Sequence, residues 1–469
     1  MRVAFGKIKI TPKEVVGVPM AGYARPKPCL GKFDDIYAHG VLVEAKSYKN
    51  EDLCCLLLIS LDLLKVPRSI VTYIKEKICS VVKSLNPENI LIHSTHTHSA
   101  PDLTGEFFWP GGAVSVAKGI MFGTNRNDKY IVWVATQIER LVQKLMNQLA
   151  ECKIGWVKKP FNPDLVINRR HPSRRSTPDL GVISFQSLGE NSIIGIIVNY
   201  ACHPTTLSLW NYKMSADFPG RVVYRIEEKS SNGINAAYFN GPAGDLNPIT
   251  TCGTDYEELE KNKSPIYSQK GVYKHTKKIG YAIADKALEL AKLIKDDEYF
   301  EDLKIQVRTR KITIPMKDHK YFSNTWFMNK LIYALKKFLI VPVAMHLYDN
   351  ANFPPFLIKH NLYRIKCDTI IQDIQCVGIL KSRNNSKKFN ITTTPGELFE
   401  DLGKILVKKS PNDKNDTFIF QNANDWIAYL FPLEEYAKEG GYEPVASFGP
   451  LCGEYIKRAI IDLYDSIEK

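Results

Sequence analysis

LCCLLLISLDLL (53–64), VPRSIVTYIKEKICSVVKSL (66–85) and ENILIHSTHTHS (88–99) follow one another in the chain and decide its fold. The first is apolar but too short to cross a bilayer, and it carries Asp62, so it reads as a buried strand. Apolar residues recur at helical spacing in the second, and the third reads as another strand. A strand–helix–strand crossover is the signature of an α/β sheet. It puts His93, His96 and His98 at the carboxyl end of a strand, where open α/β sheets place their sites. In an extended chain His96 and His98 point to one side. Two imidazoles on one face can share a metal or divide into ligand and proton carrier. They can also be a polar strand end hydrogen-bonded to neighbouring loops.

The rest of the composition suits a folded globular protein. Of 469 residues, 44% are hydrophobic and 24% charged, enough for one large α/β domain with insertions or two subdomains. The net charge of +13 comes from 63 basic residues against 50 acidic ones. The lysines are scattered and no RNA-type aromatic motif accompanies them, so a solvated basic surface is the expectation and nucleic acid is not a partner. Ten cysteines include no CxxC pair, and Cys54 and Cys55 lie inside an apolar run, which suits reduced thiols. The amino terminus, MRVAFGKIKITP, alternates like a strand and lacks an apolar signal core. With no membrane-spanning run either, the chain is expected to be cytoplasmic.

Outward from the histidines, each further segment adds one feature. MAGYARPKPCLGKFDD (20–35) is a loop in which Gly22 and Gly31 allow tight backbone, suiting the lining of a site or a plain turn. Residues 102–127, rich in glycine and aromatics, are long for a connector and offer Phe107, Phe108 and Trp109 as an apolar wall. A helix is expected over 128–150. Arg169, Arg170, Arg174 and Arg175 cluster between two strands as an anion site or, taken alone, a solvated turn. SIIGIIVNYACHPTTL (192–207) ends another strand in His203, and INAAYFNGPAGDLNP (234–248) runs into a turn with Asp245 and Asn247. Helices are expected at about 274–295 and 451–468. TWFMNKLIYALKKFLI (325–340) fits a helix covering the core and, less well, an interfacial helix that touches lipid. In FNITTTPGELFEDLGKIL (389–406), Pro395 and Gly396 set Glu397 at a helix start. IFQNANDWIAYLFPLEEYAKEGGYEP (419–444) supplies Tyr429, Tyr436 and Tyr442.

Taken in order, these segments resemble the neutral/alkaline, non-lysosomal ceramidases. HSTHTHSAP resembles the family's THTHSGP motif, NYACHPT its second histidine motif and INRR its Asn-Arg turn. PAGDLNP is similar to its GDVSPN loop, TPGELF to PGEFTT, and NDWIAY…EEY…GGYE to NxYxxY…EEY…YE. The opening ITP…MAGYA…DDIYAHGVLVEA matches as well, so the resemblance runs from about residue 3 to 455. It implies a single catalytic domain, a mixed β-sheet core flanked by helices, with a possible insertion at about 300–360. The carboxy-terminal Ig-like β-sandwich of the long family members is expected to be missing.

The same resemblance implies one catalytic Zn²⁺ held by His96, His203, Glu397 and Tyr429. His98 would act as general acid/base or substrate donor, and Arg169 and Tyr442 would contact the oxyanion or the substrate's polar head. Gly22 would line the substrate site. Asn247 stands where the family has its active-site Ser, and an amide cannot pass on a proton as a hydroxyl can. The implied activity is zinc-dependent amide hydrolysis by metal-activated water. A ceramide-like lipid amide is the first substrate, with peripheral membrane contact possible. Deacylation of a smaller N-acyl amino sugar or polyamine is the second reading, and a non-catalytic metal-binding relative the third.

Overall fold

The structure, a computed structural model, describes residues 1–23, 25–50, 52–105, 107, 126–230, 233–249, 273–315, 369–381, 388–437 and 442–467. Strands β1 (Arg2–Lys9), β2 (Gly31–Lys32), β3 (Tyr37–Ser47) and β4 (Leu53–Leu61) precede helix α1 (Arg68–Val81) and β5 (Ile90–Ser94). Next come α2 (Asp128–Met146), β6 (Ala150–Pro160), β7 (Val166–Asn168), β8 (Asp179–Ser187) and β9 (Ile193–Tyr200). They are followed by β10 (Lys213–Met214), α3 (Asp217–Lys229), β11 (Asn235–Asn240), β12 (Leu246–Pro248) and α4 (Tyr273–Leu293). The last third holds β13 (Leu303–Pro315), β14 (Thr369–Lys381), β15 (Lys388–Thr393), β16 (Glu397–Leu398), α5 (Glu400–Lys409) and β17 (Thr417–Phe420). It closes with β18 (Tyr429–Leu430), α6 (Leu433–Ala437), α7 (Glu443–Ala446) and α8 (Cys452–Ile467).

Alternation along the strands explains the layering, because successive side chains leave opposite faces. In β4, Leu57, Ile59 and Leu61 pack under α1 and α2, while Leu56 and Leu58 face the other way. In β9 and β11, Ile196, Val198, Tyr200, Ala236 and Tyr238 pack under α3 and α4. Their neighbours Ile197, Ala237 and Phe239 meet Leu56, Leu58, Val41 and Val43 in a shared inner core. Two strand layers therefore face each other, each covered by helices outside. Short pairings join them into one 12-stranded mixed sheet, β1 meeting β6 at Arg2↔Glu151 and Val3↔Ala150. The crossover read from the sequence is present: β4 and β5 run parallel around α1.

β13 and β14 form an antiparallel hairpin in the main sheet, β13 meeting β3 at Lys304↔Lys46. The start of the expected 300–360 insertion is thus sheet strand. The expected helix 325–340, the rest of that insertion and most of the 102–127 loop lie outside the described residues. Cys29, Cys54, Cys55, Cys79, Cys152, Cys202 and Cys452 are free thiols. None of the described helices is long and apolar enough to cross a membrane.

Candidate metal centre

Strand β5 stops at Ser94, and the chain then turns under the end of β4: the amides of Thr95 and His96 donate to the carbonyls of Leu61 and Leu63. His96 has φ 71°, in the left-handed region, so the expectation of an extended 96–98 segment is incorrect. The turn itself brings the two rings together, with centroids 5.0 Å apart. His203 follows β9, its amide held by the carbonyl of Leu246, and its ring lies 4.7 Å from His96 and 5.1 Å from His98. One ring nitrogen from each of the three lies within 4.8 Å of the others, and all three side chains are buried. His93 stays out of the group. Its Nδ1 meets Ser60 and its Nε2 accepts the Asn240 amide, which makes it a satisfied core imidazole.

Hydrogen bonds behind the rings fix the tautomers. His96 Nδ1 lies 2.7 Å from the Leu64 carbonyl and His203 Nδ1 3.0 Å from the Ala243 carbonyl. A carbonyl only accepts, so each Nδ1 carries a proton and Nε2 is the ring nitrogen turned inward, available to a metal. Glu397 Oε2 lies 3.3 Å from His96 Nε2 and 3.7 Å from His203 Nε2 and has no hydrogen-bond partner among the described residues. Its other oxygen accepts the Trp426 indole N–H at 3.0 Å. Burial would raise the Glu397 pKa, but the surroundings formed by His96, His203 and Arg169 hold it down at about 2. Burial also pushes the pKa of His203 down to about 3. Two lone pairs and a carboxylate oxygen facing each other in a buried space repel unless a cation lies between them. A divalent metal taking nitrogen and oxygen donors meets that demand, so the residues present fit the implied zinc.

Glu397 reaches the group from a strand, which corrects the expectation of a helix start: β16 precedes α5, and Glu397 pairs in parallel register with Tyr429 of β18. Residues opposite each other in a parallel pair share a face, which explains why these two side chains come together. The Tyr429 hydroxyl donates to that of Tyr442 at 3.3 Å. Arg169 stands over both phenols, its carbon 5.5 and 5.4 Å from their ring centres. Its guanidinium donates to Glu443 at 2.8 Å, to Asn247 Oδ1 at 2.7 Å and to the Gly244 carbonyl at 2.6 Å. The reading of the arginine cluster as a solvated turn therefore fails. Arg170 pairs with Glu435 and Glu443, Arg174, partly exposed, with Glu400 and Asp401, and Arg175, largely exposed, lies 3.7 Å from Asp164.

Gly22 packs on His98. A Cβ at Gly22 would lie 2.5 Å from the ring, Tyr23 lies against that ring at a tilt of 56° with centroids 4.7 Å apart, and Arg25 donates to the His98 carbonyl at 2.7 Å. His98 Nε2 lies 3.2 Å from His203 Nε2. Sequence reading missed Trp426, Arg25 and Lys65. Only Lys65 left a signal, a charge directly after an apolar run.

Solved ceramidases share this fold. A neutral ceramidase from Pseudomonas aeruginosa superposes with a TM-score of 0.71 and 18% identity, covering 99% of this chain and 74% of that one. A ceramidase complexed with C2 superposes with a TM-score of 0.71 and 15% identity, covering 100% and 75%. No protein-family model matches the chain, and no curated protein matches it by sequence. The likeness establishes a neutral-ceramidase-like fold, a mixed sheet with flanking helices around the buried histidines.

Proposed function

We propose that this chain is a zinc-dependent amidohydrolase whose substrate is a ceramide-like N-acyl lipid, with His96, His203, Glu397 and Tyr429 as the metal ligands. The supporting observation is the ring of inward-facing acceptors: the Nε2 atoms of His96 and His203 and Oε2 of Glu397, all buried and within 3.7 Å of the carboxylate oxygen. Bound zinc would supply a Lewis acid and lower the pKa of water. The chain's own residues do the rest. The carbonyls of Leu64 and Ala243 keep both ligand imidazoles in the required tautomer. His98, boxed by Gly22 and Tyr23, holds a neutral imidazole at the edge of the group, where it accepts or returns a proton at Nε2. Arg169 and the Tyr442 hydroxyl present donors to the substrate's carbonyl oxygen or polar head. Asn247, gripped by Arg169, orients the substrate without passing a proton. The substrate class rests on the fold shared with proteins described as ceramidases.

Metal analysis of the wild type beside His96→Ala and Glu397→Ala, with fatty-acid release measured on short- and long-chain N-acyl sphingosines, tests this reading. About one zinc per chain is expected in the wild type and none in either variant. Fatty-acid release by the wild type alone supports the lipid amide. Zinc with turnover of only small N-acyl amines moves the substrate to that class, and a wild type that binds no metal overturns the proposal.

A further inference from the structure

We infer that Lys65 is a positioning residue for the Glu397 carboxylate and acts through the indole of Trp426; the inference concerns the metal centre proposed above. Lys65 is 2% exposed, and it directly follows Leu64, whose carbonyl fixes the His96 tautomer. Its ammonium lies 4.0 Å from the centre of the Trp426 ring and 5.0 Å from that of Phe107. The far edge of the same indole donates its N–H to Glu397 Oε1.

The terminal torsion of a glutamate is broad and two-fold, so backbone placement alone leaves the direction of Oε2 undetermined. The bond from Trp426 to Oε1 turns Oε2 toward the two imidazoles. A cation over an indole face is attracted by the ring quadrupole, most strongly where water is excluded. It also draws electron density across the ring, which makes the N–H a better donor. Asp425 ties the two segments together: one carboxylate oxygen accepts the backbone amides of both Arg68 and Trp426, at 2.8 and 2.7 Å. Lys65, Trp426 and Glu397 thus form a line of contacts from a buried ammonium to the outer oxygen of the Glu397 carboxylate. Partners behind a metal ligand typically change metal affinity 10- to 100-fold when removed.

The test uses Lys65→Met, Lys65→Arg, Trp426→Phe and the Lys65→Met/Trp426→Phe double variant, in the full chain. Zinc affinity is read by competition with a chelator, and hydrogen exchange of the Trp426 indole N–H by NMR, its signal assigned by its loss in Trp426→Phe. We expect Lys65→Met and Trp426→Phe each to weaken zinc binding about 10-fold or more. The double variant is expected to be no weaker than Trp426→Phe alone, because the lysine acts through the ring. Lys65→Met should also speed indole exchange, while Lys65→Arg, which keeps the cation, stays near wild type in both readouts. Lys65→Gln serves as the second neutral variant where Lys65→Met folds poorly. Wild-type zinc affinity and indole exchange in both neutral variants would overturn the inference, as would additive losses in the double variant. Should the wild type bind no zinc, the proposed function falls, and indole exchange alone decides the role of Lys65.

Discussion

Gly22 shows how tightly the centre is built at the scale of single residues. Its φ is +96°, in the left-handed region, and the nearest atoms to an added Cβ are Cβ, Cγ and Nδ1 of His98, at 2.5–2.7 Å. Gly22→Ala is therefore expected to strain the backbone by about 1 kcal/mol and to displace the His98 ring. Misplacing a reacting group by an ångström costs on the order of 100-fold. Turnover of an N-acyl sphingosine should fall at least tenfold, on the order set by that misplacement, while urea unfolding shifts only modestly; unchanged turnover would show that His98 is not held by this contact. Much at this scale was legible. The family resemblance implied His96, His203, Glu397 and Tyr429 as a set, and the structure gathers the first three around one carboxylate oxygen. The separation of His93 from His96 was not legible, because it depends on Ser60 and Asn240, residues remote in the chain. The pairing of Arg169 with Glu443 spans 274 positions and left no local pattern either.

At the scale of elements, the decisive piece is the strap from Gln421 to Leu430. Asn422, Asn424 and Ala428 all have positive φ, and with His96 they make four of the seven non-glycine residues in that region among those described. Such strain persists only where surrounding bonds over-determine it. Here the Asn424 amide donates to the Ile92 carbonyl, the Ser94 amide to that of Asn422, and the Glu397 amide to that of Ala428. The strap therefore locks the end of β5 to the strand that carries Glu397. Asp425 adds the remaining tie, accepting the Arg68 amide at the start of α1, where Pro67 offers no side-chain cap. Asp425→Ala should cost about 1–2 kcal/mol, the range for losing a helix cap, and weaken metal binding. Asp425→Asn should recover part of both, as read by denaturant unfolding and chelator competition; an Ala variant equal to wild type would dismiss the tie. A strap of this kind is hard to read from sequence. β16 and β18 are two residues each, too short for a period-2 pattern, which is why Glu397 reads as a helix start when met as TPGELFEDLG.

Across the whole molecule, the layering follows from patterns visible in the chain, such as the apolar runs of β4, β5 and β9 with helical spacing between. The closing of two strand layers on one inner core was not visible, since it rests on pairings as brief as Arg2↔Glu151. A buried acidic seam fastens the layers near the site. Asp34, in the loop before β3, accepts bonds from Ser215, the Ala216 amide and Tyr273 of α4, and lies 3.7 Å from Arg221 of α3. Asp217, at the start of α3, accepts from Thr206 and the amides of Leu207 and Phe218, holding the segment that follows His203. Burial raises the carboxyls of both, that of Asp217 to about 6, with Asp34 adding repulsion against its bonds to Thr206, Phe218 and Leu207. A carboxyl raised in the folded state binds its proton more tightly there than in the unfolded chain. Its contribution is full below the ordinary value of 3.8 and is lost as pH climbs through about 6. Asparagine at 217 tolerates the left-handed φ of 55° and does not titrate. Stability of the wild type relative to Asp217→Asn should therefore fall by on the order of 2 kcal/mol between pH 4 and pH 7, whatever constant offset the lost bonds introduce. Urea unfolding of both proteins across that range measures it. A difference independent of pH would mean that Asp217 is solvated in the native state, and the seam would then not be the dry junction that holds the His203 segment against α3.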